Sequence, residues 1–225
     1  HRLADAQALA EALAERVADD LRRAVEHRGT ASLVVSGGST PRPFFEALSR
    51  RSLPWSAVRV TLADERWVPA DHPDSNERLV REHLLQGAAS DATLVGLVTP
   101  PETPEEGREA CETRLEAIER PYDVVVLGLG EDGHTASLFP EADQLAAGLD
   151  LETTRTCLAV RPSAAPHARM SLTLPTLLDC RRLVLHITGE RKWQVYQQAQ
   201  EPGPAEDLPI RAVLRSGQLE VWWAP

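Results

Sequence analysis

The 225-residue chain is 42% hydrophobic and 26% charged, which excludes a long disordered chain, a coiled coil and a disulfide scaffold. Its 24 basic and 34 acidic residues give a net charge of −10 at pH 7, which argues against a nucleic acid or an anionic membrane as the main partner. The length favours a single domain over residues 1–225. Lys192 is the sole lysine and Asn76 the sole asparagine, a scarcity typical of a biased coding composition.

Hydrophobic periodicity predicts alternating helices and strands over the first half of the chain. Apolar residues at helical spacing from Leu9 to Val25 predict a helix over residues 3–26 that ends at Gly29. The apolar run Asp123–Leu127 predicts a central parallel strand that is buried on both faces. Between them the pattern predicts, in order, strand Ser32–Val35, a helix from Pro41, strand Val58–Leu62, a helix capped by Asp74 or Ser75, strand Thr93–Val95, and a helix from Thr103 that includes Leu115 and Ile118.

The second half continues this alternation more loosely. The predicted elements are strands Thr156–Val160, Met170–Leu174 and Leu183–Thr188, a helix from Gly189, a short helix Pro209–Arg215, and strand Leu219–Trp223. The expected fold class is therefore α/β, with a mostly parallel sheet and helices on both faces. Ligands of such sheets bind beyond the carboxyl ends of the strands, where polar loops fall at 36–40, 64–67, 128–137 and 188–192.

The cysteines and the chain start bear on the compartment. Cys111, Cys157 and Cys180 are odd in number, far apart and outside any zinc-binding spacing, so free thiols in a reducing cytoplasm are expected. No signal peptide and no stretch of apolar residues long enough for a membrane helix are evident.

The loop Ser36-Gly37-Gly38-Ser39-Thr40 follows a predicted strand and precedes a predicted helix. Its glycines allow the backbone to approach a ligand, and the helix start offers free N–H groups together with the hydroxyls of Ser39 and Thr40. The loop therefore suits a phosphate group, although a plain connection with capping residues has the same pattern. It lacks the Gly-Lys-Ser/Thr ending of a nucleotide-binding P-loop.

The segment from Gly128 to Gly133 matches the dinucleotide pattern G-x-G-x-x-G, but it does not suit that ligand. Glu131 and Asp132 would direct carboxylates at a pyrophosphate, and no apolar helix begins after the segment. The glycines instead predict a tight turn that places Asp132 and His134 at a strand end. His134 is the natural candidate for proton transfer near neutral pH, with Asp132 orienting it, or else this is a surface turn with an incidental histidine.

Further charged and polar residues near strand ends are weaker candidates. Arg66 could contact a phosphate while the adjacent acids hold it in place, although a run of solvated charges is the simpler interpretation. Asn76 could be a helix cap, and Arg169 a surface charge. Lys192 lies in the first turn of a predicted helix, where the helix dipole disfavours a cation, and this favours a role with an anionic ligand.

Several of these segments together carry a specific resemblance. The thirteen residues from Gly128 to Pro140 resemble the signature of 6-phosphogluconolactonases, and Ser36–Pro41 resembles the phosphate loop of that family. Asp64–Pro69 with Asp74-Ser75-Asn76, Arg169–Thr173, and Gly189–Lys192 are similar to its other blocks. The blocks follow the family order and span nearly the whole chain.

The resemblance implies the fold shared with glucosamine-6-phosphate deaminases and ribose-5-phosphate isomerases, a Rossmann-like three-layer α/β/α sandwich. It implies hydrolysis of 6-phospho-D-glucono-1,5-lactone in the oxidative pentose phosphate pathway, with a phosphorylated sugar lactone as partner and no metal or redox cofactor. His134 and Asp132 are the expected catalytic residues. The expected binding residues are Gly37, Gly38, Ser39, Thr40, Asp64, Arg66, Asn76, Gly133, Thr135, Arg169 and Lys192. A monomer or a weak homo-oligomer is expected.

Two other functions remain open on the sequence. Glucosamine-6-phosphate deaminases share the Gly-x-Asp-Gly-His turn, but they continue it with a segment that carries a further acid, whereas this chain has Ala136-Ser137-Leu138-Phe139-Pro140. A non-catalytic sugar-phosphate sensor is the other alternative, although no helix-turn-helix segment or basic face accompanies this domain.

Overall fold

The computed structural model describes residues 1–163 and 165–225. Its strands are β1 Ala31–Val35, β2 Val58–Leu62, β3 Asp64–Arg66, β4 Thr93–Val95, β5 Tyr122–Leu127, β6 Cys157–Val160, β7 Arg169–Leu172, β8 Cys180–Thr188 and β9 Leu219–Ala224. Its α-helices are α1 Ala6–Arg28, α2 Arg42–Ser49, α3 Asn76–His83, α4 Pro104–Leu115, α5 Leu145–Leu149, α6 Leu174–Leu178, α7 Glu190–Gln200 and α8 Ile210–Leu214. Short 3₁₀ turns cover Trp55–Ala57 and Gly87–Asp91.

The main sheet has six parallel strands in the order β4-β2-β1-β5-β8-β9. The chain builds outward from β1 through β2 to β4, and then returns to lay β5, β8 and β9 on the other side. The direction of winding therefore reverses between β1 and β5, and in doubly wound sheets the ligand crevice lies at such a switch point. This confirms the predicted α/β fold with a mostly parallel sheet.

Within the main sheet, the two strands at the switch point are the most completely buried. Every residue of β1 and of β5 is buried, as expected for strands covered on both faces. Helix α1 packs on both strands through Leu9, Leu13, Val17 and Leu21, none of which is exposed. Asp5 caps this helix by accepting the Ala8 N–H at 2.8 Å, so the helix begins at Ala6 and not at residue 3.

A second sheet corrects the sequence analysis. Residues 64–67 are predicted there as a loop, but Asp64–Arg66 forms strand β3, which pairs antiparallel with β7, and β7 pairs antiparallel with β6. Three charged residues carry no apolar alternation, so local sequence could not reveal a strand whose pairing partner lies more than one hundred residues away. The second sheet matters for function because it carries Asp64, Arg66 and Arg169 to the switch point.

Two smaller predictions were also wrong, and a short helix was missed. Leu174 begins helix α6 and is not part of a strand, because Pro175 suits the first turn of a helix. Helix α4 ends at Leu115, before Ile118. Helix α5 was not predicted at all, and its single turn lacks a side-chain cap. None of the helices among the residues described is long and apolar enough to cross a membrane.

Candidate active site

A cavity of about 240 Å³ opens at the switch point, beyond the carboxyl ends of β1 and β5. It brings together eleven of the thirteen residues predicted for the site: Gly37, Gly38, Ser39, Thr40, Asp64, Arg66, Asn76, His134, Thr135, Arg169 and Lys192. Asp132 and Gly133 are outside the lining. The residues come from strands, helices and loops distant in sequence, so only the sheet topology could place them in one cavity.

The loop after β1 forms one wall and is shaped by a close contact with Asn76. A Cβ atom on Gly37 would lie 1.8 Å from Asn76 Oδ1, so only glycine fits there. Asn76 is buried and its Nδ2 donates to the carbonyl of Asp64 at 2.9 Å. Ser75, not Asn76, caps helix α3. Asn76 therefore links the loop after β1 to strand β3.

Lys192 reaches this loop from the first turn of α7. Its Nζ donates to Thr40 Oγ1 at 3.0 Å. Burial lowers the pKa of the Lys192 ammonium, an effect that Glu131 partly opposes. A partly desolvated ammonium gains from a bound anion, so this placement suits a role for Lys192 with an anionic ligand.

Arg169 and Asp64 form a buried pair in the lining of the cavity. Arg169 Nη1 lies 3.8 Å from Asp64 Oδ2, and both side chains are 8% exposed. Asp64 Oδ2 also accepts the hydroxyl of Ser137 at 2.6 Å. Burial and the charge of Arg66 lower the pKa of the Arg169 guanidinium, while the Asp64 carboxylate acts against them. Asp64 thus fixes the position of Arg169 and of the segment that follows His134.

The acids beside Arg66 do not hold its guanidinium, which corrects that part of the sequence analysis. The Arg66 guanidinium donates instead to the carbonyl of Asp74. Glu65 of β3 is buried against the start of α3. Its carboxylate accepts the backbone N–H groups of Asn76 at 2.8 Å and Glu77 at 2.7 Å. Burial raises the pKa of the Glu65 carboxyl, although these hydrogen bonds and those from Arg66 N–H and the Ser75 hydroxyl oppose the rise.

His134 and Asp132 form a close pair in the turn after β5. The Nδ1 atom of His134 lies 2.5 Å from Asp132 Oδ1, and the His134 backbone N–H donates to the same oxygen at 3.2 Å. The turn requires Gly130, because a Cβ atom there would lie 2.1 Å from His134 Nδ1 and 2.5 Å from Asp132 Oδ1. Because Nδ1 is engaged by Asp132, Nε2 is the ring nitrogen left for a reaction partner.

The environment keeps Asp132 ionised. Burial acts to raise the pKa of its carboxyl, but the hydrogen bond and the charge of His134 outweigh burial and lower it below the usual value. The imidazole also packs against Phe139, with 4.2 Å between ring centres. His134 is therefore held on one edge by a carboxylate and on one face by an aromatic ring.

Gly133 and Thr135 have structural contacts in the same turn. Gly133 packs against Leu208, and its carbonyl accepts the N–H of Ile210 at 3.0 Å. Thr135 is buried, and its hydroxyl donates to the carbonyl of Gly128 at 2.9 Å. Thr135 lines the cavity, whereas Gly133 anchors the turn to α8.

His186 lines the cavity and was missed by the sequence analysis. It lies within β8 and is 3% exposed. Burial, and secondarily the charge of Lys192, lowers its pKa to about 4, so the ring is neutral at pH 7. A polar residue inside the apolar run Leu183–Thr188 was the available signal. Among the described residues, Nδ1 of His186 has no hydrogen-bond partner.

The cavity contains no grouping of three metal-type ligands within the described part of the chain. Such a grouping, formed by His72, Asp74 and His167, lies outside the lining. What the cavity does combine is a histidine whose carboxylate partner lies just outside the lining, a glycine-rich loop with hydroxyls, and three basic side chains. That set suits acid–base chemistry on a small phosphorylated substrate.

This chain is similar to known proteins in both sequence and fold. The family model described as glucosamine-6-phosphate isomerases/6-phosphogluconolactonase matches residues 4–223. A 6-phosphogluconolactonase of Rhizobium meliloti is 46% identical, covering 100% of this chain and 98% of its own length. One from Mesorhizobium japonicum is 48% identical, covering 98% and 93%. The crystal structure of a 6-phosphogluconolactonase from Shewanella baltica, 47% identical, superposes with a TM-score of 0.97 over 100% of this chain and 96% of that one.

Proposed function

The chain belongs to the glucosamine-6-phosphate isomerase/6-phosphogluconolactonase family, and from this premise we propose how its residues hydrolyse 6-phospho-D-glucono-1,5-lactone to 6-phosphogluconate. The activity is that of a carboxylic ester hydrolase of the pentose phosphate pathway. The roles of individual residues follow from the geometry of the cavity. The observation that carries them is that one cavity is lined by His134, whose Nδ1 contacts Asp132, together with Lys192, Arg66 and Arg169.

His134 acts as the general base. Its Nε2 removes a proton from a water molecule as the water oxygen bonds to the lactone carbonyl carbon. When the resulting tetrahedral intermediate collapses, the bond from that carbon to the ring oxygen breaks, and His134 returns the proton to the ring oxygen. The product acid then loses its proton to solvent and becomes the carboxylate.

Asp132 positions His134 and stabilises its charged form. The hydrogen bond between Asp132 Oδ1 and Nδ1 keeps the proton of the neutral ring on Nδ1, so that Nε2 presents a lone pair. While His134 holds the extra proton, the ionised carboxylate lies beside the positive charge. Asp132 therefore acts through His134 and does not itself contact the substrate.

The basic side chains and the loop after β1 bind the phosphate and the sugar hydroxyls. Gly37, Gly38, Ser39 and Thr40 offer backbone N–H groups and hydroxyls, and Arg66, Arg169 and Lys192 supply positive charge. The phosphate of the substrate lies far from the reacting bond. Binding it positions the lactone carbonyl beside His134, and in this way binding energy increases the reaction rate. Asp64 and Asn76 hold this wall together, and Thr135 and Gly133 hold the catalytic turn.

Hydrolysis of phosphorylated and unphosphorylated gluconolactone, each corrected for spontaneous opening, tests the proposal. We expect a strong preference for the phosphorylated lactone, and we expect Lys192→Ala to raise KM for it at least about tenfold with a smaller change in kcat, because a charged hydrogen bond to substrate is lost. Ammonia release from glucosamine 6-phosphate would instead support the deaminase alternative. An unchanged KM in the Lys192 variant would contradict the phosphate assignment.

The partners and the compartment follow from charge and thiols. We infer a small-molecule substrate without nucleic acid or membrane partners, since the net charge is −10 and the basic groups named above lie within a cavity. The free thiols Cys111, Cys157 and Cys180 support a reducing cytoplasm. A monomer or a weak homo-oligomer is the state we propose for the chain.

A further inference from the structure

A cluster of metal-type ligands lies beside the cavity, formed by His72, Asp74 and His167. Asp74 Oδ2 lies 2.8 Å from His167 Nε2 and 3.9 Å from His72 Nδ1. One ligand atom from each residue lies within 4.8 Å of the others. His167 is 93 residues beyond Asp74, so no ligand spacing in the sequence could indicate the cluster.

The donor set and its spacing suit a zinc-class ion. Two imidazoles and one carboxylate are ligands that Zn²⁺ accepts, and at its ligand distances of about 2.0–2.1 Å tetrahedral donors stand about 3.3 Å apart. The two distances from Asp74 fall on either side of that value. The side chains of His72, Asp74 and His167 are 37%, 52% and 29% exposed, which leaves room for a water molecule as fourth ligand.

The local contacts of His72 and His167 are compatible with binding a metal ion. His72 Nδ1 accepts the backbone N–H of Asp74 at 3.1 Å, so this nitrogen carries a lone pair and not a proton. Metal binding would exchange that hydrogen bond for a coordinate bond and would release the proton that His167 shares with Asp74. His167 adopts a left-handed backbone, with φ of 68°, a conformation uncommon for residues other than glycine.

We propose that His72, Asp74 and His167 bind one divalent transition-metal ion of the zinc class, at a site separate from the catalytic histidine. The loops that carry these ligands also hold the two arginines of the cavity. The carbonyl of Asp74 accepts the Arg66 guanidinium, and the carbonyl of Pro166 accepts Arg169 Nη2 at 3.3 Å. The ion therefore holds both loops in place. This part of the inference rests on the proposed function: the bound ion lowers KM for the phosphorylated lactone without changing kcat.

Titration of the metal-free enzyme with Co²⁺ tests the site independently of activity. We expect visible absorption typical of four- or five-coordinate Co²⁺ that saturates at one equivalent and is displaced by Zn²⁺. His167→Gln and Asp74→Asn should weaken binding at least about tenfold, since each removes a direct ligand. His83→Gln is the matched control, because His83 also pairs with a surface carboxylate, Glu46, at 3.0 Å, yet belongs to no cluster of three such ligands among the described residues.

The outcomes separate the site from the catalytic centre. Loss of the Co²⁺ spectrum in His134→Ala with retention in His167→Gln would overturn the proposal, as would absence of stoichiometric binding. A Zn²⁺-dependent fall in KM that is lost in His167→Gln supports this role of the ion, and an unchanged KM with full occupancy would overturn that role. Stoichiometric Co²⁺ binding in a chain that failed to hydrolyse the lactone would support the metal site while removing the proposed function.

Discussion

At the scale of single residues, the decisive arrangement is the pair formed by His134 and Asp132. Sequence reasoning could find it because both residues lie in one glycine-rich turn directly after an apolar strand. The sequence does not show which ring nitrogen of His134 contacts Asp132. That depends on the 2.5 Å contact between Nδ1 and Asp132 Oδ1, which is possible because Gly130 has no side chain. The proposed catalytic role rests on that contact.

Asp132→Asn tests whether the carboxylate orients and stabilises His134. We expect kcat to fall about 10–10²-fold with little change in KM, because an amide neither fixes the ring tautomer nor neutralises the charged imidazole. Steady-state kinetics on the phosphorylated lactone measure both constants. Asp143→Asn, a change at another exposed aspartate, should leave them at the parent values. Equal effects of the two substitutions would remove Asp132 from the mechanism.

His186 illustrates what the sequence could not supply. A histidine inside an apolar strand resembles an ordinary core residue, and its place in the cavity emerges only when β8 is paired with β5. Its pKa of about 4 keeps the His186 ring neutral at pH 7.

Acid unfolding measures the protonation of His186. In the unfolded chain its pKa is 6.5 and in the folded protein about 4, so the folded state binds fewer protons between these values. The associated stability is fully present above pH 6.5 and is lost as the pH falls towards 4, by up to about 3 kcal/mol. His186→Leu should therefore flatten the pH dependence of the free energy of unfolding in this window. An unaltered slope in denaturant titrations would show that the buried ring is not neutral.

At the scale of elements, strand β3 and helix α3 form one unit through Glu65. The carboxylate of this buried residue satisfies N–H groups at the start of α3, where the partial positive charge of the helix favours an anion. The same short strand presents Asp64 and Arg66 to the cavity. A strand of three charged residues has no periodic signal, so its existence depends on long-range pairing with β7 and not on local propensity.

Glu65→Gln tests this unit. The amide keeps one acceptor but turns an NH₂ group towards backbone donors, so we expect the free energy of unfolding to fall by about 2–3 kcal/mol. Chemical denaturation measures the change. Glu82→Gln, which alters an exposed pair with Arg78, should leave the free energy of unfolding close to the parent value. Comparable losses in both variants would mean that Glu65 contributes no more than a surface charge.

We propose that the loop after β1 contributes to substrate binding and the loop after β5 to turnover. Two glycine substitutions distinguish these contributions. Gly130→Ala pushes a methyl group into His134 and Asp132, so kcat should fall about 10–10²-fold. Gly37→Ala pushes one into Asn76 in the proposed binding wall, so KM should rise by a similar factor while kcat changes less. The two variants control for each other in one kinetic assay. A kcat defect in Gly37→Ala without a change in KM would reverse the assignment of the two loops.

At the scale of the whole molecule, the main sheet was predictable and the second sheet was not. Apolar runs such as Asp123–Leu127 indicate buried parallel strands, and the polar loops after them indicate the end of the sheet at which ligands bind. The strand order, which places the winding reversal between β1 and β5, depends on pairings that no local pattern encodes. That a single domain extends over residues 1–225 remains a prediction.

The net charge of the chain is negative, whereas the cavity is lined by three basic side chains. A net charge of −10 opposes an anionic ligand in general, but Arg66, Arg169 and Lys192 line one cavity at the switch point. Interactions beyond about 8–10 Å are screened at physiological ionic strength, so these nearby cations decide binding. The sole lysine and the sole asparagine of the chain both lie in this lining.

The most direct test is the turnover number of His134→Ala on 6-phospho-D-glucono-1,5-lactone, corrected for spontaneous hydrolysis. His83→Ala serves as the matched control, and the unfolding transition of each variant verifies that the fold is intact. The account predicts a loss of roughly 10²–10⁴-fold in kcat for His134→Ala, as for removal of a general acid–base group, and parent-like turnover for the control. A folded His134→Ala enzyme with parent-like kcat would contradict the account.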